Sequence, residues 1–287
     1  MEEISRMLQE IDNHIFVGDS REVLKAFPDA IVNTTVTSPP YYNLRDYGEE
    51  NQIGLEESLD DYIEQLCIVF DEVHRVTKDD GTFWLNIGDC YANKGEIPSD
   101  GRKGFSRTIG MGIADKTIEG LTTKDLIGVP WRVAFALQKR GWILRSDIIW
   151  AKKNPIPESV KDRPTSSHEH IFLFSKQPKY YFDSESIKEK IENLDNNGGY
   201  EHRNKRDVWS VRVASYPGSH CATFPMELIT PCIKAGSPEG GLVLDPFMGT
   251  GTVAEAAKKL SRRYTGCELN LEYWKIIQNR LKQQELF

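Results

Sequence analysis

The stretch that decides the fold is GLVLDPFMGTGTVAEAAKKLSRRYTGCELN, residues 241–270. A short apolar run ends at Asp245, a glycine-rich turn follows, a helical pattern begins near Thr252, and a second apolar run ends at Glu268. This strand–turn–helix–strand order predicts a βαβ unit with parallel strands. Glycines in the first turn let the backbone approach a ligand closely, and an acidic residue roughly 20 positions further on is suited to accept ribose hydroxyls.

The glycine-rich turn, Gly249-x-Gly251-x-x-Ala254, has more than one interpretation. It satisfies the dinucleotide fingerprint in outline, and it also fits a tight turn without a ligand, whereas a P-loop is excluded because no Gly-Lys-Ser/Thr follows. Few residues follow Glu268, so the other strands must precede this unit, an order that suits S-adenosylmethionine better than NAD. The candidate cofactor contacts in this unit are Asp245, Phe247, Gly249, Gly251, Thr252 and Glu268.

Apolar runs and helical periods alternate along the rest of the chain. The clearest helical pattern covers residues 58–76, where apolar residues recur every three or four positions behind a serine cap. Further helical patterns cover residues 130–139, 225–234, 252–260 and 271–282. Runs typical of buried strands cover residues 14–17, 31–36, 82–87, 143–150, 170–174, 242–244 and 264–267. The alternation predicts an α/β fold with a doubly wound, mostly parallel seven-stranded sheet.

Two stretches, residues 91–123 and 183–206, lack a strong period, and long loops of this kind are typical of functional insertions. The chain of 287 residues is 39% hydrophobic and 28% charged, the balance of one globular domain with two insertions. It has no run near the roughly 18 apolar residues of a membrane span, and its acidic start is unlike a signal peptide. We therefore expect a cytoplasmic protein without membrane contact.

Cysteine spacing and charge bound the function further. The five cysteines are never spaced as CxxC, which argues against a disulfide framework and a zinc site, so no metal is expected. Residues 1–80 carry 6 positive and 19 negative charges, or −13, and the total of −7 leaves +6 for residues 81–287. A local basic surface is enough to hold phosphates, so the net charge does not exclude nucleic acid.

The segment TSPPYYNLRDYG, residues 37–48, follows a buried strand pattern. Pro39 and Pro40 have fixed φ angles, so the Ser38 hydroxyl and the Pro39 carbonyl are two acceptors in fixed positions. Two such acceptors can hold the hydrogens of a ligand in a fixed geometry, and Tyr41 adds an aromatic ring beside them. An ordinary strand-ending turn is the alternative.

The two blocks TSPPY, 37–41, and DPFMGTGT, 245–252, together resemble the amino-methylating DNA methyltransferases, in the permuted β group whose catalytic motif precedes the cofactor motif. GTFWLNIGD, IIWAKKNPIPESVKDRPTSSHEHIFLFSK and HCATFPMELITPCI extend the resemblance over most of the chain. It implies a circularly permuted, Rossmann-like methyltransferase fold and S-adenosylmethionine as cofactor. It also implies double-stranded DNA as substrate, a restriction–modification system with a cognate endonuclease, and a homodimer as a further partner arrangement.

The resemblance also implies a role for the TSPPY residues. The Ser38 hydroxyl and the Pro39 carbonyl, held in place by Pro39 and Pro40, would accept hydrogen bonds from an exocyclic base amine and stabilise the positive charge that grows on nitrogen as a methyl group arrives. Tyr41 would stack on the target base after it is flipped out of the duplex.

The choice of base depends on the resemblance. In the family, serine in TSPPY generally accompanies the N4 amine of cytosine, and aspartate at that position accompanies the N6 amine of adenine. Cytosine is expected from Ser38, and adenine stays the alternative. Ring-carbon methylation needs an activated cysteine beside a proline, and Pro231-Cys232 lies in a predicted helix. A DNA-binding protein without catalysis and an NAD-dependent oxidoreductase are the competing classes.

Three further sets of residues complete the predicted site. Asp19 follows a strand and is suited either to accept the adenine amino group of the cofactor or to cap the next helix. Thr223 and Pro225 resemble contacts to the methionine end of the cofactor, and Pro225 also fits the first turn of a helix. Basic residues on irregular segments predict contacts to DNA phosphates. They are Lys152, Lys153, Arg163, His168, Arg203, Lys205 and Arg206.

Overall fold

The structure is a computed structural model, and it describes residues 10–92, 118, 120–191, 201–213 and 224–283. Its strands are β1 His14–Val17, β2 Val32–Thr37, β3 Thr77–Ile87, β4 Ile143–Lys152, β5 His168–Ser175, β6 Glu189–Lys190, β7 His202–Arg203, β8 Val208–Val211, β9 Leu242–Asp245 and β10 Arg263–Glu268. Its helices are α1 Ser20–Val23, α2 Leu59–Val76, α3 Val129–Lys139, α4 Met226–Gly236, α5 Thr252–Lys259 and α6 Leu271–Gln283. None of these helices is long and apolar enough to cross a membrane.

The main sheet has the strand order β1-β10-β9-β2-β3-β5-β4-β8, and β6 pairs with β7 in a separate two-stranded sheet. The first five strands in that order are parallel, β5 is antiparallel to both of its neighbours, and β8 is parallel to β4. The predicted fold class is confirmed, and all seven predicted strands are present. The sheet has an eighth strand, β8, which the sequence did not indicate because only Trp209 and Val211 of its four residues are buried.

Helices cover both faces of the sheet. On one face, α2 and α3 form an apolar core with Phe83, Phe172 and Phe174 of the sheet. On the other face, α4, α5 and α6 pack against Trp84, Val243 and neighbouring residues. Apolar side chains on both faces explain why the central strands are almost continuously apolar in sequence. The prediction of one domain with insertions at 91–123 and 183–206 stays a prediction, since most of the first insertion lies outside the described residues.

Helix α2 begins as its sequence predicts. Ser58 is the N-cap, and its side-chain oxygen accepts a hydrogen bond of 3.0 Å from the Asp61 amide. We expect Ser58→Ala to lower the free energy of unfolding by about 1 kcal/mol, because an amide of the first turn loses its acceptor. Urea denaturation measures this loss. Ser58→Thr keeps both the acceptor and the hydroxyl that donates to Asp61, and it should stay close to the original stability. Equal losses in both variants would contradict a capping role.

The connections define where a ligand can bind. Strand β2 leads through α2 to β3 on one side, and β9 leads through α5 to β10 on the other, while β2 and β9 are neighbours. The chain therefore leaves these two strands in opposite directions. This is a topological switch point, and a crevice forms there at the carboxyl ends of the strands.

Candidate active site

The crevice between β2 and β9 brings together two motifs that are 208 residues apart in sequence. The Thr37 hydroxyl at the end of β2 donates a hydrogen bond of 2.5 Å to Asp245 Oδ1 at the end of β9. Because Ser38 follows Thr37 directly and the glycine-rich loop follows Asp245, the predicted catalytic and cofactor segments leave the sheet at adjacent strand ends.

The glycine-rich loop has a backbone that requires glycine. Gly249 and Gly251 have φ angles of 55° and 84°, in the left-handed region that L residues with side chains rarely adopt. Gly251 also precedes α5 as its N-cap, and a Cβ there would lie 2.8 Å from a methyl carbon of Ile277 in α6. The loop therefore combines a tight turn with close packing of the last helix.

Glu268 connects the end of β10 to this loop. Its Oε2 accepts a hydrogen bond of 2.7 Å from the Gly249 amide, and its Oε1 accepts one of 2.9 Å from the Asn270 amide. Burial raises the pKa of Glu268 to about 7, although these amide bonds act in the opposite direction. The two oxygens together offer about four acceptor positions, more than the backbone amides fill, which leaves the group suited to bind ligand hydroxyls.

Asp245 is a buried carboxyl with a defined role in the loop. Its Oδ1 accepts from the Thr37 hydroxyl and, at 3.0 Å, from the Phe247 amide. Burial raises the pKa of Asp245 to about 7, against the effect of both hydrogen bonds. Phe247 itself packs against the apolar core formed with α2 and α3, and its ring centroid lies 6.2 Å from that of Phe70.

The raised pKa of Asp245 predicts a pH dependence of stability. The folded chain holds this proton more tightly than the unfolded chain does, so the free energy of unfolding falls as pH rises from about 4 to about 7. Asp245→Asn keeps the acceptor oxygen and removes the titration. Between pH 5 and 8, the original protein should lose about 2 to 3 kcal/mol more than the variant does. Urea denaturation across this range tests it, and parallel curves for the two proteins would contradict it.

Asp19 lies at the carboxyl end of β1 and caps α1. Its Oδ1 accepts a hydrogen bond of 2.9 Å from the Arg21 amide, and both oxygens also contact the Arg21 guanidinium. Burial acts to raise the pKa of Asp19, but the hydrogen bonds and charge of Arg21 outweigh it and lower that pKa. The neighbouring Ser20 hydroxyl donates to the Pro246 carbonyl, which joins α1 to the loop after β9. The capping interpretation is thus observed, and the adenine contact stays a prediction.

The TSPPY segment is held from several sides. The Tyr62 hydroxyl of α2 donates a hydrogen bond of 2.8 Å to the Pro40 carbonyl. Gly88 leaves space for the Tyr41 ring, since a Cβ at Gly88 would lie 2.8 Å from its Cε2. The Ser38 hydroxyl donates to Tyr41 Oη at 3.4 Å. These contacts fix the segment beyond what its two prolines impose.

Two residues of this site were missed from the sequence, Glu169 and Asn86. Tyr41 Oη donates a hydrogen bond of 2.7 Å to Glu169 Oε2, and Asn86 Nδ2 donates to the same oxygen at 3.1 Å. Burial, followed by the charge of Glu169, raises the pKa of Tyr41 well above its usual range. Since β5 is antiparallel to β3, its amino end lies at the sheet edge where β2 and β3 end. The polar pattern HEH before the apolar IFLF was the available signal.

The predicted DNA-contacting residues differ in their surroundings. Lys152 was expected on an irregular loop, but it is the last residue of β4 and pairs with Glu169 Oε1 at 2.5 Å, because β4 continues two residues beyond the predicted run. Arg163 pairs with Glu158 at 2.7 Å and lies over the Tyr91 ring. Of the remaining five, Arg203 and Arg206 both form ion pairs with Glu189, and Lys205 lies over the Trp209 ring. Lys153 and His168 are exposed.

Three further residues considered in the sequence lie in the carboxyl-terminal half of the chain. Thr223 lies outside the described residues, and Pro225 is the N-cap of α4. Cys232 is buried in α4, as predicted, and its thiol contacts the Leu228 carbonyl oxygen. Burial raises the pKa of this thiol. Cys232 is therefore a core residue and offers no nucleophile for ring-carbon methylation.

A family model described as DNA methylase matches residues 32–279. The chain belongs to the DNA methylase family. It is 50% identical to the Type II methyltransferase M.Cfr9I of Citrobacter freundii, over 94% of this chain and 88% of that one. It is 49% identical to the Type II methyltransferase M.SmaI of Serratia marcescens, over 93% and 90%. The DNA methylase also superposes on TTHA0409 of Thermus thermophilus, solved in complex with S-adenosyl-L-methionine, with a TM-score of 0.64, 25% identity, and coverage of 94% and 93%.

Proposed function

We propose that this DNA methylase transfers the methyl group of S-adenosylmethionine to the N4 amine of cytosine at a specific site in double-stranded DNA. The observation that carries the proposal is the Thr37–Asp245 hydrogen bond, which joins the strand before Ser38 to the strand before the glycine-rich loop. Relatives described as Type II methyltransferases support it, as does the similar chain solved with S-adenosyl-L-methionine.

S-adenosylmethionine is the cofactor, and the residues at the ends of β9 and β10 fit it. Glu268 has acceptor capacity beyond its bonds to backbone amides and can bind a ribose hydroxyl, and the left-handed glycines present backbone without a side chain in the way. When bound, the sulfonium group supplies an electrophilic methyl group. The remaining proposed contacts to the cofactor are Asp19, Thr223, Pro225, Asp245, Phe247 and Thr252.

The chain itself activates the amine. The nitrogen lone pair of a base amine is delocalised into the ring, so the amine is a poor nucleophile while it stays planar. Ser38 Oγ and the Pro39 carbonyl accept hydrogen bonds from the two N–H groups of the amine and favour a tetrahedral nitrogen. They also stabilise the positive charge that develops on that nitrogen. The Tyr62–Pro40 hydrogen bond keeps the two acceptors in place. The Tyr41 ring stacks on the flipped base and offsets part of the unstacking cost.

Cytosine is proposed over adenine because serine occupies the first position of the SPPY segment, as in family members that modify cytosine. Cys232, the one cysteine in the sequence that follows a proline, is buried in α4, which supports modification of the exocyclic amine over the ring carbon. Adenine N6 is the second candidate. Either amine carries two hydrogens that the same pair of acceptors can hold.

DNA contact is proposed at the sheet edge beside this site. Lys153 follows the carboxyl end of β4 and His168 begins the adjacent strand β5, and both are exposed. Arg163, Arg203, Lys205 and Arg206 are proposed to contact phosphates as well, by exchanging their present partners for DNA. Lys152 is proposed to contact a phosphate while it stays paired with Glu169, since an ammonium has three donors. A role in a Type II restriction–modification system, with a cognate endonuclease acting on the same site, is proposed from the relatives. The homodimer and the cytoplasmic location stay predictions.

The test is to incubate the protein with S-adenosylmethionine and DNA, digest the DNA to nucleosides and identify the methylated product by mass. N4-methylcytosine is expected. N6-methyladenine as the product would overturn the assignment of the base, and no methylated nucleoside with a DNA of random sequence would overturn the assignment of the reaction. Sequencing the modified positions then gives the recognition site.

A further inference from the structure

Glu169 lies where three different parts of the chain direct hydrogen-bond donors at one carboxylate. Tyr41 from the SPPY segment and Asn86 from β3 donate to Oε2, and the Lys152 ammonium from β4 contacts Oε1 at 2.5 Å. The carboxylate is 14% exposed and its lysine 22%. Glu169 lies outside the SPPY segment and the glycine-rich loop, yet one hydroxyl separates it from Ser38.

The charge on Glu169 fixes the direction of this hydrogen-bond chain. An ionised carboxylate accepts hydrogen bonds and donates none, so the Tyr41 hydroxyl hydrogen must point to Glu169. The Tyr41 oxygen is then an acceptor, and it lies 3.4 Å from Ser38 Oγ, which donates to it. With its own hydrogen directed at Tyr41, Ser38 Oγ presents both lone pairs, and no donor within the described residues occupies them.

We propose that Glu169 is a positioning residue for methyl transfer: acting through Tyr41, it holds the Ser38 hydroxyl as an acceptor for the target amine. This inference rests on the proposed function, since it assigns a direction to the acceptor that function requires. In the opposite direction, Tyr41 donates to Ser38 and occupies one of its two lone pairs. Only one lone pair then remains for the amine hydrogen.

Glu169→Gln reverses the direction without changing the shape of the side chain. The amide has one oxygen, and both Lys152 and the Tyr41–Asn86 pair require an acceptor. A charge-assisted hydrogen bond is the stronger one, so the oxygen faces Lys152 and the NH2 group faces Tyr41. Tyr41 then accepts from the amide and donates to Ser38. We expect kcat for methyl transfer to fall about tenfold or more, with the Kd for S-adenosylmethionine and the KM for DNA within about twofold of the original values.

The double variant Lys152→Met with Glu169→Gln separates orientation from structural support. Without the ammonium, the amide oxygen is free to face Tyr41 and Asn86, which restores the original direction. Because Lys152 is also a proposed phosphate contact, the variants are compared at saturating DNA, where we expect kcat of the double variant to be about fivefold above that of Glu169→Gln alone. A purely structural role for the ion pair predicts the reverse order, since the double variant has lost both charged partners.

The outcomes separate this inference from the proposed function. If Ser38→Ala is inactive while Glu169→Gln retains the original kcat, or while the double variant is no faster than Glu169→Gln, the positioning role is overturned and the acceptor role stands. If Ser38→Ala methylates DNA at the original rate, the proposed site itself fails. Should Glu169→Gln not fold, Tyr41→Phe keeps the ring and removes the link, and we expect it to lower kcat about fivefold. An unchanged kcat in Tyr41→Phe would overturn the inference.

Discussion

Ser38→Ala is expected to lower kcat for methyl transfer about a hundredfold to a thousandfold. The substitution removes one of two acceptors aimed at the nitrogen where charge develops, and the loss of a single such group in other enzymes has effects of that size. The Thr37–Asp245 bond and the Glu268 contacts remain, so the Kd for S-adenosylmethionine should stay within about twofold of the original value. Single-turnover transfer of a labelled methyl group to DNA and a cofactor titration measure the two effects separately.

Ser146→Ala is the matched control, because Ser146 is also half-buried but lies within β4. It should leave kcat within about twofold of the original value. A Ser38→Ala variant that retains a third or more of the original kcat would remove Ser38 from the proposed site.

Gly266→Ala is expected to have the largest effect on stability, at about 3 kcal/mol or more. Gly266 lies in β10 opposite Asp245 of β9, and a methyl group there would overlap the Asp245 carbonyl oxygen and lie 2.5 Å from Met248 Cε. Since one of these is backbone, the strand ends must separate. We therefore expect weaker binding of S-adenosylmethionine as well as a lower denaturation midpoint in urea.

Gly240→Ala supplies the contrasting control. Its φ of 71° disfavours alanine, but apart from its two chain neighbours no heavy atom of the described residues lies within 4 Å of the added methyl group. Its cost should be that of the backbone conformation alone, about 1 kcal/mol, with cofactor binding unchanged. Equal losses in the free energy of unfolding for the two variants would contradict the view that steric overlap at Gly266 causes the larger effect.

The sequence predicted the local parts of the molecule well. The period of α2 and its Ser58 cap, and the strand–turn–helix–strand unit around the glycine-rich loop, depend on residues close together in the chain. Local backbone preferences and apolar periodicity decide such elements, so they can be inferred from one sequence. The adjacency of the SPPY segment and the glycine-rich loop came from the family resemblance and not from any local pattern.

What the sequence did not indicate depends on pairings between distant strands. Glu169 contacts Tyr41 because β5 runs antiparallel beside β3, and no local pattern distinguishes that direction from the parallel one. The antiparallel pairing of β4 with β5 brings Lys152 to Glu169, so a residue expected at the DNA surface has an ion-pair partner in the site. Strand β8 was missed since four residues with two buried side chains do not form an apolar run.

The arrangement of β9 between β2 and β10 has a consequence for biosynthesis. A ribosome synthesises the chain from its amino end, so Thr37 emerges 208 residues before its partner Asp245. The gap in the middle of the sheet is filled only when the last two strands are translated, and pairings this distant in sequence are slow to form. A chain that ends before β9 lacks Asp245 and the glycine-rich loop, so we expect it to have no methyltransferase activity.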